Sequence, residues 1–379
     1  MSSTTAAHQS FLRTRTFGAL DGLRALAIFA VVLYHVAEIR DGFVGRFYLS
    51  VSLFFTISGF LITTLLLRER DATGTISLTR FYARRSLRIF PLYYAVCALY
   101  LLLVASLERD LAVREAFFDN VRYYLTYTSN WFVRLDEGRI ILYFVWSMAT
   151  EEQFYLLWPF VVRQFSSRWG PAFFMAGMLG VALLCNGAVR SGLLDTRWLW
   201  VRMLDSISIS ICMGCLAAYL THFGNTFAWT WRVLGQGWSV PVLLVLTAGA
   251  IYHHGTPLVL SSLLLTAVVV AMCIRPRYFL VSLVEHRALR YVGSITYGVY
   301  LMHMLSLNIV RRLVPHDVLL HYVLTLALSI ALATLSYRYF ETPFLRLKNR
   351  FDWRHAEAER PAAPVSGVVA PASAPVSPG

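Results

Sequence analysis

The chain has 379 residues, 57% of them hydrophobic, with a mean hydropathy of +0.57 and a net charge of +13. A soluble domain carries about 45–50% apolar residues, so the composition excludes one and points to a membrane protein of several spans. The positive charge is arginine except for Lys348 and reads as the bias that orients spans and meets anionic lipid; with no nucleic-acid motif beside it, no nucleic-acid partner is expected.

Ten apolar segments follow in chain order, at 19–37, 47–67, 89–107, 142–162, 171–189, 203–221, 234–252, 258–274, 291–310 and 319–339. Each is about long enough to cross ~30 Å of hydrocarbon at 1.5 Å per residue. The expected fold is all-α, a polytopic membrane helical bundle of about ten transmembrane helices. Residues 1–17 read as a polar cytoplasmic tail with no cleavable signal peptide, and 348–379, rich in Pro and Ala, as a disordered cytoplasmic tail. With the N-terminus inside, 22 of the 34 basic residues fall on cytoplasmic segments, and an even span count returns the C-terminus to the same side. The loop at 108–141 mixes both signs and reads as wet. The five cysteines lie in apolar runs, and the Cys212–Cys215 spacing reads as helix packing rather than redox chemistry.

The first span holds Asp21, Arg24 and His35. Arg24 and His35 are 11 residues apart, three turns plus about 20°, so they share one helix face about 16 Å apart along the axis. Asp21 lies one turn before Arg24 and is placed to pair with it. Arg24 reads either as half of an interfacial charge pair or as part of a functional face; His35, an ionisable group within a span, reads as lining a pathway or reaction site. In the second span Ser58-Gly59 suits close helix packing. Arg84, Arg85 and Arg88 cluster just before Pro91 opens the third span, either as positive-inside anchors or as an anion site for a polyphosphate, to which arginine's forked donors are suited.

The stretch WSMATEEQFYLLWPF, Trp146 to Phe160, sets Glu151 and Glu152 in a lipid-length segment. Thr150 and Gln153 have capping-box spacing, so the helix is expected to begin at Thr150, with both glutamates in its first turn. They serve either that helix start or a buried site shared with His35. Tyr155 lies one turn beyond Glu151 on its face, and Glu152 points about 100° away. Weaker candidates are Asp205 near the start of the sixth span, Tyr300 and His303 in SITYGVYLMHM, and Glu341 in YRYFETPFLRL. There is no H-E-x-x-H, G-x-S-x-G or P-loop motif and no expected metal site.

Taken in order, Arg24-x10-His35, FFTISGFL, RRSLRIFP, TSNW with Asn130 and Trp131, WSMATEEQFYLLWP, YGVYLMH and YFETPFLRL resemble the acyltransferase 3 family of integral membrane acyltransferases over about residues 18–347. The resemblance implies O-acyl, often O-acetyl, transfer from an acyl-coenzyme A co-substrate, with no tightly bound cofactor. Acceptors in the family are sugars of surface or exported glycans and glycolipids, and macrolides. Met148-Ala149-Thr150 stands where Leu-Ser-Val is common, and no C-terminal SGNH-type esterase domain is expected. On this reading Arg84, Arg85 and Arg88 hold the coenzyme A phosphates at the inner face of a cytoplasmic membrane, with Arg24 at the entry. His35 acts as general base or transient acyl carrier, and Glu151 or Glu152 orients its imidazole. The competing class is a proton-coupled membrane transporter, against which the arginine cluster beside Pro91 and the lack of a clear inverted repeat speak.

Overall fold

A computed structural model describes residues 3–39, 41–134, 138–275 and 277–352. Every regular element among them is helical. Each of the ten apolar segments falls on a helix or a bent helix pair. By length and apolarity, five helices suffice to cross a membrane, or seven if Leu199–Asp205 with Ile209–His222 (bent by 42°) and Gly224–Leu234 with Ser239–Tyr252 (72°) each form one span. The helices Trp146–Gln164 and Arg287–Leu313 fall outside that set, and they are the ones that carry Glu151, Glu152, Tyr300 and His303.

Glycines set two of the closest helix crossings. A Cβ on Gly59 would lie 2.3 Å from the carbonyl oxygen of Ile211, and one on Gly214 would lie 2.3 Å from that of Thr56. The helices Leu49–Thr73 and Ile209–His222 therefore pack backbone to backbone, as the Ser58-Gly59 pair suggested. The first span, Gly18–Ala37, meets Arg287–Leu313 the same way: a Cβ on Gly293 would stand 2.0 Å from the Asp21 carbonyl. These contacts hold the faces bearing His35, Ser58 and Tyr300 around one interior.

Several boundaries differ from expectation. The arginine helix runs unbroken from Leu78 to Leu107 with Pro91 inside it, so Pro91 does not open it. Its start is Ser77, whose hydroxyl accepts from the Arg80 amide at 3.5 Å. The Glu151 helix begins at Trp146, one turn before Thr150. The Thr150 hydroxyl donates to the Trp146 carbonyl at 3.2 Å and Gln153 turns to Asn130 and Tyr127, so there is no capping box. Within the expected wet loop, Asp110 caps a helix over Leu111–Leu125 through the amides of Ala112 and Val113.

Both tails are partly structured. Ser3–Arg13 is a helix docked through buried Phe11 and through Arg68, which donates to the carbonyls of Thr14 (2.6 Å) and Phe11 (2.8 Å). At the other end Thr342–Asn349 is a helix, and the Phe351 carbonyl accepts from Arg84 at 2.7 Å. The start of the expected disordered tail, 348–352, is therefore placed, and the 353–379 part of that expectation lies outside the described residues.

Candidate active site

Three cavities lie in series through the interior. The first, of about 280 Å³, is lined by Arg24, Glu69, Arg84, Arg85, Arg88 and Lys348. The second, of about 130 Å³, repeats Arg24, Arg85 and Arg88 and adds Ser58, Glu151 and Tyr155. The third, of about 630 Å³, holds His35, Asn130, Trp146, Thr150 and Asp205. The first two share the three arginines; the second and third share Val51, Phe55 and Tyr300.

At the arginine end, the cations differ in how they are held. Arg84 is paired with Glu69 at 3.0 Å, and Glu69, 2% exposed, also accepts from the Ser77 amide at 3.0 Å. Arg84 is therefore a strut between the Leu49–Thr73 helix, the loop after it and the C-terminal segment. Arg24 pairs with Asp21 at 3.3 Å, as its spacing implied. Arg85 lies over the Tyr155 ring at 4.6 Å, a cation–π contact, and lines both the first and the second cavity. Arg88 faces Glu341, whose carboxylate accepts from Ser336 at 3.0 Å within a π-helical turn.

Glu151 belongs to this end. Arg85 and Arg24 face its carboxylate as cations, Ser58 and Tyr155 as hydroxyls, and the latter two are themselves bonded at 2.5 Å. The expected role of orienting His35 is thus replaced: Glu151 lines the second cavity with the arginines, and His35 lines the third. Glu152, on the other face, looks toward Arg85 and toward Tyr94, Tyr127 and Tyr297.

At the histidine end, His35 Nδ1 lies 2.8 Å from the Val31 carbonyl. A carbonyl only accepts, so Nδ1 carries the proton and the neutral ring keeps its lone pair on Nε2. The ring lies 4.9 Å from that of His303 and 5.8 Å from that of Tyr143. His303 is fully buried, with Nδ1 bonded to the Tyr300 carbonyl at 2.5 Å and Nε2 lacking a partner. Asn130 and Gln153 exchange amide bonds of 3.0 and 2.9 Å, Trp131 donates to Ser206 at 2.9 Å, and Asn186 donates to Asp205 at 2.7 Å. Among the described residues no group of three or more His, Cys, Asp or Glu side chains is placed to hold a metal ion.

Between the two ends, the Tyr300 hydroxyl bonds Ser147 at 2.7 Å and the Phe144 carbonyl at 2.9 Å, while Trp146 meets Phe55 edge-on at 6.0 Å. Leu142 takes a left-handed φ of 61° just before this segment turns inward, a conformation costing of order 1–3 kcal/mol and typical of functional sites. Tyr143, Ser147, Asn186 and Glu69 were not singled out in the sequence. The signal for Asn186 was present, as a lone amide in GVALLCNGAVR; Tyr143 and Ser147 come into place only through the turn.

A family model described as an acyltransferase domain, that of the acyltransferase 3 family, matches residues 17–338. Peptidoglycan O-acetyltransferase OatA of Listeria monocytogenes is 25% identical over 402 aligned positions, covering 93% of this chain and 61% of the relative. O-acetyltransferase OatA of Staphylococcus aureus is 26% identical over 356, covering 86% and 56%. The chain spans about six-tenths of the length of these relatives. No solved structure matches. With the family's model covering residues 17–338, which include Arg24, His35, Glu151 and Tyr300, the chain belongs to the acyltransferase 3 family.

Proposed function

We propose that the protein transfers an acetyl group from acetyl-coenzyme A to a hydroxyl of a sugar on a surface or exported glycan. The observation that carries this is the series of three cavities, cationic at one end and joined through a narrow neck to a histidine at the other. Coenzyme A is a polyanion with a long thiol arm. Arg85, Arg88 and Arg24 suit its phosphates, and the arm would extend through the second cavity past Glu151 toward the neck. The arginine end then faces the cytoplasm, both termini lie there, and the third cavity opens outward in the cytoplasmic membrane.

In this reading the acceptor hydroxyl oxygen attacks the thioester carbonyl carbon as the C–S bond breaks. His35 Nε2 takes the hydroxyl proton and returns it to the departing thiolate. General-base assistance of this kind contributes typically ~10²–10⁴ in rate. The alternative order, through an acyl-His35, uses the same lone pair as nucleophile. Glu151 balances the arginines around the thiol arm, and Asn130, Trp131 and Asp205 line the acceptor's side. Peptidoglycan is the first acceptor to try, since it is named for the Listeria relative; a macrolide is the small-molecule alternative.

The test is release of coenzyme A from acetyl-coenzyme A by the purified full chain, with mass spectrometry of surface glycans from a deletion strain. Cavities on either side of a narrow neck would also serve a proton-coupled transporter. A protein that consumes no thioester but moves a solute across vesicles would replace the enzyme reading with that one.

A further inference from the structure

We propose that Val51 and Phe55, closing against Tyr300, set the size of the acyl group transferred and restrict it to acetyl. This rests on the acyl-coenzyme A reading above and adds to it the residues that choose among thioesters. The three side chains are those common to the second and third cavities, so they form the partition an acyl group must cross to meet His35.

The partition has a rigid side and an adjustable side. Tyr300 cannot swing away without giving up its bonds to Ser147 (2.7 Å) and the Phe144 carbonyl (2.9 Å). Val51 and Phe55 are one turn apart on the Leu49–Thr73 helix, with Ser58 about one turn further along the same face. That face is held by the backbone-to-backbone crossing at Gly59, where a Cβ would lie 2.3 Å from the Ile211 carbonyl, so the helix does not yield as a body. Phe55 is 6% exposed and packed against Trp146. The opening is therefore decided by what stands at positions 51 and 55.

An acyl-coenzyme A arriving from the arginine end presents the far end of its acyl group first. The second cavity encloses only about 130 Å³, which leaves little room for the acyl group to fold aside; an acetyl group has only a methyl to pass before its carbonyl reaches the partition, while a branched or longer one meets Val51 and Phe55 first. Close-packed interiors register a difference of one methylene, so such a neck discriminates sharply.

The experiment measures coenzyme A release by the purified full chain with acetyl-, butyryl- and isobutyryl-coenzyme A, with inhibition by free coenzyme A as a separate readout of donor binding. Wild type is expected to favour acetyl. Phe55→Ala should raise the isobutyryl-to-acetyl ratio of kcat/KM by about ten-fold or more. Val51→Ala should raise it less, and Val51→Phe should lower kcat for acetyl while inhibition by coenzyme A stays at the wild-type level. If Phe55→Ala does not fold, the two Val51 variants decide the matter. A ratio unmoved in every folded variant, with acetyl still turned over, overturns the neck and leaves the acyltransferase reading standing. A wild-type protein that releases coenzyme A from none of the thioesters removes both.

Discussion

The two ends of the cavity series are built from different chemistry. At the arginine end, cations are held by ion pairs, a tyrosine face and nearby carboxylates: Arg24 by Asp21, Arg84 by Glu69, Arg85 over Tyr155, and Arg88 facing Glu341. At the histidine end, the His35 ring meets the Val31 carbonyl and the rings of His303 and Tyr143, in a cavity that also holds the Asn130 amide and the oppositely charged Arg202 and Asp205. A charge-rich region binds a charged ligand and positions it. A histidine in a cavity is a group suited to taking up and returning a proton. On the proposed reading the contrast separates donor binding from chemistry, and mutations at the two ends should differ in kind.

The largest effect is expected at His35. His35→Ala should lower turnover by about 10²–10⁴, the range for loss of a positioned base, with the protein still inserting and melting as wild type. Its ring contacts include Val31 in its own helix and the rings of His303 and Tyr143, while the backbone-to-backbone helix crossings at Gly59 and Gly293 do not involve its side chain. Wild-type coenzyme A release by the purified mutant would remove His35 from the chemistry. Glu151→Gln is expected next, with a loss of about 10² in kcat/KM against a near-normal melting temperature. The amide keeps the shape but removes the charge that faces Arg85 and Arg24. Glu152→Gln, on the other face, should be several-fold milder. The reverse order would put the functional carboxylate on the tyrosine side instead.

The arginines sharpen the comparison within one end. Arg85→Gln and Arg88→Gln should each raise the KM for acetyl-coenzyme A about ten-fold and leave acceptor affinity unchanged. Arg84→Gln should act on stability. It strands Glu69, which is 2% exposed, and breaking a buried pair costs about 3–5 kcal/mol. Arg84→Gln with Glu69→Gln should recover much of that loss, because neither charge is then left alone. A thermal melt of both variants beside their donor KM separates strut from ligand; a raised KM with an unchanged melt for Arg84→Gln would return it to the donor site.

Much of this was legible from residue spacing. Arg24 and His35 do share a face, Asp21 does pair with Arg24, and Gly59 does admit a neighbouring backbone. Helix period alone sets those relations, and they survive packing. What was not legible depends on tertiary partners. The spacing of Thr150 and Gln153 imitates a capping box, yet Gln153 finds Asn130, 23 residues away, and the helix starts a turn earlier. The Ser3–Arg13 helix is too short to be stable alone and exists by docking of Phe11 and Arg68. The pairing that sets Arg84 apart from Arg85 and Arg88 was out of reach for the same reason, since Glu69 lies 15 residues from Arg84 and only the fold brings the two together.

The smallest effect tests the histidine end through Asn130. Its amide donates to Gln153 at 3.0 Å and to Thr150 at 3.3 Å, and accepts from Gln153 at 2.9 Å; Gln153 also donates to the Tyr127 carbonyl at 2.8 Å. Tyr127 takes a φ of 53°, so this amide pair pins a turn in an unfavourable conformation beside the third cavity. Hydrogen bonds between side chains of membrane helices are each worth about 0.6–1.7 kcal/mol. Asn130→Ala should therefore lower stability by about 1–2 kcal/mol, since Gln153 retains Tyr127 as a partner. The loosened turn should raise the acceptor KM by a few-fold while the donor KM stays put, because the pair's hydrogen-bond partners, Thr150 and Tyr127, do not line either arginine cavity. A double-mutant cycle with Gln153→Ala should show coupling in stability and in acceptor KM. Coupling in donor KM instead would mean that the two ends are mechanically joined through this turn, and the division between a binding end and a reacting end would fail at that point.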